Sequence, residues 1–266
     1  MIEQPTVLAA EFPPGVDAFD FRSLIPGLDG TAWAAAFTKI TLLLWIAAAL
    51  VMIFFLVTYR SPKLVPTKGQ WLAESVYGMV RDNIARDVIG RDGVRFAPYL
   101  TVLFCFILLN NLWGIVPFAQ ISPMSHIAFP MVLALVSWLL YIGHGIAKWG
   151  FVGYVKHVCW VSGAPLWVQP ILVPIEFVSN LILRPVTLSV RLFANMFAGH
   201  VILKLFAGFV VSLIGTGSAV MLFGIAPFLG AIAVTALEFL VAALQAYVFA
   251  VLTCIYLSDA AHAADH

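Results

Sequence analysis

Charge is what this sequence has least of. Of its 266 residues only 10% are Asp, Glu, Lys or Arg, while 62% are hydrophobic and the mean hydropathy is +1.02. Soluble domains carry about a quarter charged residues and are about half apolar. The composition therefore excludes an ordinary soluble domain and argues for a chain that crosses a membrane several times. Cysteine is scarce as well. Cys105, Cys159 and Cys254 show no CxxC or ligand spacing, which excludes a disulfide framework and a zinc site. No nucleotide loop, HExxH, GxSxG or glycine-rich phosphate cradle is present, so neither independent catalysis nor a cofactor is expected, and no nucleic-acid partner either. The acidic, proline-containing start "MIEQPTVLAAEFPPGVDAFDF" does not read as a signal peptide. No repeat of fixed period is visible.

What is there is apolar length. Runs at about 32–59, 96–118 and 127–147 are each close to the ~20 residues a helix needs to cross the hydrocarbon. Two longer tracts, about 166–214 and 219–257, flank "GTGS". The expected fold is all-α: about five membrane-embedded helices in one domain, 32–266, behind an acidic tail, 1–31. A further helix at about 69–91 carries Leu72, Val76, Met79, Val80, Ile84 and Val88 at helical spacing, with Asp82 four before Arg86 and Asp87 four before Arg91. One apolar stripe beside a charged face predicts a helix lying along the interface, its charges paired four apart.

Positive charge orients the chain. Arg60, Lys63, Lys68, Arg81, Arg86, Arg91 and Arg95 lie between the first two runs, and Lys148 and Lys156 follow the third. The tail offers Arg22 against Glu3, Glu11, Asp17, Asp20 and Asp29, and the loop 119–126 has no charge. The tail is expected outside, the basic loops and the C-terminus in the cytoplasm.

The fourth tract poses a length problem. At ~1.5 Å per residue, residues 166–214 would reach roughly 73 Å as one helix, against a ~30 Å core. Two spans turning near Pro185, a broken helix and a steeply tilted one all remain open. Proline favours a break, but no polar loop marks a turn there. The same holds for 219–257.

This greasy tract also carries "RPVTLSVRLFANMFAGH", residues 184–200. On a helical projection centred on Arg191, Asn180, Arg184, Thr187 and Asn195 all fall within about 40°. That is one polar stripe, with Ala194, Ala198 and Gly199 beside it to admit a close neighbour. His200 and Lys204 face the other way, and Glu238 and Gln245, seven apart, share a face of the last tract. If the two tracts form an antiparallel hairpin turning at about 215–218, Arg191 lies level with Gln245 and His200 with Glu238.

A charge at the bilayer centre costs about 2.5–3.5 kcal/mol even on lenient scales, which makes Arg191 a functional candidate. Arg184 can snorkel toward the cytoplasm and Lys204 can extend along its helix. Glu238, isolated among apolar residues, points to proton handling, and His200 beside it to a relay rather than a quiet core histidine. A metal at His200 and Glu238 would lack a third ligand. His144 and His126 lie near span ends, His126 at a possible outer mouth.

"RPVTLSVRLFANMFAGH" followed by "LEFLVAALQAYVFAVLTCIYLSDA" resembles subunit a of the F-type ATP synthase, bacterial type. The likeness covers most of the chain from the first span onward. It puts the family's arginine on Arg191, its asparagine on Asn195, its glutamine on Gln245 and its polar pair on His200 and Glu238. It also implies a long, tilted hairpin curving along a rotating ring of c subunits. Many members carry an acidic residue where this chain has Asn110 and Asn111, so the outer mouth falls to these asparagines or His126. Glu176 lies near the family's acidic position on the cytoplasmic side.

The resemblance further implies a stator in the bacterial plasma membrane, with the c-ring, the b-subunit peripheral stalk and the remaining synthase as partners. Protons would enter past His200 and Glu238 to a ring carboxylate and leave past Glu176 and Asn180, with Arg191 as a barrier between two half-channels. The alternative is a secondary transporter binding a small anion at Arg191. It would predict inverted repeats, and none is visible. A structural scaffold would leave the buried polar stripe unexplained.

Overall fold

The computed structural model describes residues 38–60, 63–116, 121–159, 167–215 and 225–261. The tail 1–31, the start of the first apolar run and the expected hairpin turn near 215–218 lie largely outside the described residues. Among the described residues there are helices and no strand. Five helical segments are long and apolar enough to cross a membrane: Lys39–Tyr59, Arg91–Leu112, Ala128–Val155, Gln169–Val211 and Ile225–Ala261. The chain is a polytopic all-α membrane protein.

Helix α1 (Lys39–Tyr59) begins where Thr38 Oγ1 accepts the Thr41 N–H at 3.3 Å, filling one of the unpaired amides of the first turn. Ile40, Leu43, Ala47 and Val51 recur at helical spacing and face the protein. Trp45, Met52, Ile53, Leu56 and Val57 face outward, as expected for a helix whose far side meets lipid.

Helix α2 (Lys68–Val80) is the expected surface helix, capped by Thr67. It ends differently from the expectation of a regular helix to residue 91. A wider π turn, Arg81–Arg86, and a short piece, Asp87–Ile89, lead to Gly90, whose φ of 88° stops the helix. Residues four apart stack only on a regular α-helix. With the π turn in between, Asp82 instead accepts Nε and Nη2 of the adjacent Arg81, both at 2.9 Å. That hydrogen-bonded guanidinium holds the Asp82 carboxyl below its ordinary range.

Helices α3 (Ala97–Leu112) and α4 (Ala128–Cys159) follow. Helix α4 outruns its expected end at 147 because a kink at Gly150, φ 73°, joins a second helical piece to it.

The fourth tract is helical from Gln169 to Gly215: α5 (Gln169–Val178), a π turn Ser179–Leu183, and α6 (Arg184–Gly215). The break favoured by Pro185 does not occur. A proline lacks its N–H and its ring collides with the carbonyl four residues back, here Leu181. The π turn opens the backbone at that point, and α4 satisfies the freed carbonyls. Trp138 Nε1 donates to Leu181 O at 2.8 Å and Tyr141 Oη to Asn180 O at 3.3 Å. The π turn also undoes the expected single stripe from Asn180 to Asn195, because that projection assumed a uniform turn per residue.

Helix α7 (Ile225–Ala261) is the hub, packing on α3, α4 and α6. Ala242, Ala246 and Ala250 are buried at four-residue spacing, with Cys254 continuing the line. Small side chains in register let helices approach closely where lipid supplies no hydrophobic drive. Leu192 and Met196 of α6 and Leu100 and Ile107 of α3 belong to the same core.

Helices α6 and α7 run antiparallel. Going from Arg184 to His200 on one, the partners go from Asp259 to Glu238 on the other. The 43 residues of Gln169–Val211 span roughly 64 Å. A rod that long fits a ~30 Å core only when strongly tilted.

Candidate functional site

The polar residues of α6 and α7 fall into three groups along the helix pair. The first is closed. His200 and Glu238 are buried, 3% and 4% exposed, with His200 Nδ1 2.6 Å from Glu238 Oε1. The other ring nitrogen, Nε2, accepts the backbone N–H of Ser122 at 2.9 Å. Glu238 Oε2 is buried and meets no partner among the described residues.

Ser122 opens a tight buried turn, Pro123–Ser125, that is held from several sides. Ser122 Oγ donates to Asn110 O at 3.0 Å and accepts the Met124 N–H at 3.2 Å. Ser125 Oγ donates to Ser122 O at 2.7 Å. Two glycines make room for the pair. A Cβ at Gly114 would lie 2.2 Å from His200 Cε1, and one at Gly199 2.9 Å from Glu238 Oε1.

Asn110 and Asn111 belong to this neighbourhood. Both are buried, Asn110 Nδ2 donating to Phe106 O at 2.8 Å and Asn111 Nδ2 to Ala242 O at 3.3 Å. Ala242 is one turn from Glu238 and one from Gln245. The Oδ1 atoms of both asparagines and Nε2 of Gln245 are buried without a partner among the described residues. His126 directly follows the turn and is half-buried, as is Lys204, one turn beyond His200.

The second group is open. Arg191 sits at the centre of the long Gln169–Val211 segment and is exposed. Among the described residues it has no hydrogen bond or ion pair. Thr187, Val190, Ala194 and Ala198 are exposed with it, while Leu188, Leu192 and Met196 turn into the core. Asn195, also exposed, donates to Gln245 Oε1 at 2.7 Å. The expectation that Arg191 lies level with Gln245 is therefore off by one turn. A fixed pairing of residue numbers holds only for strictly parallel rods.

The third group lies at the far end. Arg184 pairs with Asp259 at 2.9 Å and lies 4.8 Å from the Tyr256 ring. Asn180 donates to Glu176 Oε2 at 2.8 Å. Arg95 Nη2 donates to His144 Nε2 at 3.0 Å, and Lys148 Nζ to Ala261 O at 2.5 Å. The basic residues thus gather at the end of the bundle opposite Ser122. Among the described residues no three His, Cys, Asp or Glu side chains gather as metal ligands.

Ser122 and Asp259 join the site without being among the candidates named from the sequence. Ser122 acts through its amide, which leaves no side-chain signature. Asp259 was readable as the acid at the end of the last helix, opposite a basic residue at the start of α6.

A family model described as ATP synthase A chain matches residues 41–258. The chain is 42% identical over 254 residues to the ATP synthase subunit a of a Nocardioides species, covering 93% of this chain and 92% of the relative. It is 40% identical over 268 residues to the protein of that name from Pseudarthrobacter chlorophenolicus, covering 98% of each. With that of Maricaulis maris it shares 45% over 234 residues, 85% of this chain and 89% of the relative.

Proposed function

Because the chain belongs to the ATP synthase A chain family, we propose that it is the stationary proton-conducting subunit of an F-type ATP synthase, in a bacterial plasma membrane. It faces a ring of c subunits through α6, with the b-subunit stalk and the rest of the synthase as further partners. The observation that carries this reading is Arg191: exposed, central in a span, and unpaired among the described residues. A guanidinium facing hydrocarbon costs several kcal/mol. A mobile carboxylate on a neighbouring subunit removes that cost. The small side chains of Ala194 and Ala198 on the same face admit a close neighbour.

Two half-channels meet at this face. The outer one runs from Asn110, Asn111, Ser122 and His126 to the His200–Glu238 pair, and on to Asn195 and Gln245. Buried polar atoms left unpaired by protein recruit water, and the unpaired atoms of Asn110, Asn111, Glu238 and Gln245 support a wet path. The inner one passes Glu176, Asn180 and the Arg184–Asp259 pair to the basic, cytoplasmic end, while the tail lies outside. Arg191 stands between them. Arginine stays protonated where a lysine can lose its proton, so it attracts a deprotonated ring carboxylate and blocks direct leakage.

Two charges 4 Å apart at an effective dielectric near 20 attract by ~4 kcal/mol. One charge crossing 100 mV supplies only ~2.3 kcal/mol. A dry ion pair would therefore stall the ring, and Arg191 must meet its partner in a hydrated setting. The exposure of Arg191 on an outer face, rather than in an enclosed cavity, favours this over the binding of a small anion.

Arg191→Ala is expected to abolish proton-driven ATP synthesis in membrane vesicles while the complex still assembles. Normal coupling in an assembled variant would overturn the proposal.

A further inference from the structure

The pair in the outer path contains two groups able to carry a proton, and its hydrogen bonds treat them unequally. His200 is held at both ring nitrogens. At Nε2 it meets a backbone amide, 2.9 Å from Ser122 N. An amide N–H only donates, so Nε2 is the acceptor and carries no proton. The ring's one proton is then on Nδ1, and it is donated to Glu238 Oε1 at 2.6 Å. An imidazole relays a proton by taking one at one nitrogen and releasing one at the other. Here the nitrogen that would take it already has its lone pair engaged.

That amide is not free to swing away. Ser122 is tied to Asn110 O and Met124 N through Oγ, and its carbonyl takes the hydroxyl and the amide of Ser125 at 2.7 and 3.0 Å. The ring also packs close to Gly114, where an added Cβ would lie 2.2 Å from Cε1. Glu238 differs. Its Oε1 is engaged, but Oε2 is buried and unpaired among the described residues.

Within the proposed function above, on which this rests, we infer that Oε2 of Glu238 is the atom that takes up and releases the transported proton. His200 is a positioning residue, held as the neutral Nδ1–H form by the Ser122 amide. One O–H bond forms at Oε2 as the proton arrives. The same bond breaks as it passes on to the next acceptor. The Nδ1–H bond is never broken. The imidazole fixes the carboxylate through Oε1 so that Oε2 alone faces the path.

The test compares passive proton flux through the assembled membrane sector. His200→Gln offers a carbonyl to the amide and an NH2 to Glu238 but cannot carry a proton. It is expected to lower flux by no more than about tenfold. Glu238→Gln should lower it by about 100-fold or more, the scale of losing a placed acid–base group, and His200→Leu should fall below His200→Gln because it leaves the carboxylate and the Ser122 amide without a partner. A fall in His200→Gln as deep as that in Glu238→Gln would overturn the inference, because the imidazole would then be a carrier. Undiminished flux in Glu238→Gln would overturn the proposed path itself, and the inference with it.

A second measurement needs no variant. In the intact complex carrying isotope-labelled serine and histidine, the His200 ring is identified by its 2.9 Å contact with the amide nitrogen of Ser122. Nitrogen NMR should show Nδ1 protonated and Nε2 bare. An imidazolium, or a proton on Nε2, would overturn the inference.

Discussion

Arg191 and His200 stand nine residues apart on one helix, about 13 Å along its axis, and their surroundings are opposites. His200 is buried and bonded at both nitrogens. Arg191 is exposed and has no partner among the described residues. Burial alone would rank the pocket above the open face. The physics of the solvent reverses that ranking. In water an exposed arginine needs nothing, but at mid-span it needs a partner from outside the chain. The pocket closes its hydrogen bonds within one polypeptide, whereas the open face, under the proposed function, takes its partner from a second.

The contrast can be pressed with substitutions. After Arg191→Ala, the largest expected effect is from Gly114→Ala. Its methyl group would meet the imidazole at 2.2 Å, and overpacking of this kind costs about 1–3 kcal/mol. The thermal midpoint of the purified subunit complex and its proton flux should both fall. Gly199→Ala should be milder, since its nearest neighbour at 2.9 Å is a side-chain oxygen. If Gly114→Ala behaves like the wild type, the pocket is not tightly closed.

At the seam between the regions, Asn195→Ala and Gln245→Ala should be non-additive. A double-mutant cycle on stability should return a coupling of about 1 kcal/mol. Zero coupling would mean the 2.7 Å hydrogen bond does not tie the open face to the pocket. The smallest effect is expected from Arg184→Ala. Its ion pair with Asp259 is partly exposed, so its loss should cost no more than about 1 kcal/mol and the difference should shrink in high salt.

Much of this arrangement could be read from residue order. Apolar runs of spanning length yielded the helices, and an antiparallel hairpin brought His200 level with Glu238. The misses share a cause. Pro185 looked like a break because the rule against proline concerns one helix alone. The remedy, Trp138, sits on another helix. The Asp82 pairing and the stripe through Asn180 assumed regular turns, and π turns occupy 81–86 and 179–183, while the Asp87–Arg91 pairing is cut by Gly90, whose φ of 88° ends the helix between them. Ser122 was invisible because its contribution comes from the backbone, which every residue type supplies.

The indole of Trp138 has a mechanical consequence. A rod with an opened turn bends there first when pushed from the side, and here the opened turn lies just before the segment that bears Arg191. Trp138 and Tyr141 strap that joint to α4. Under the proposed function, sideways load from a revolving neighbour would pass through the strap into α4 instead of flexing α6, so the guanidinium would hold its station while the machine turns past it.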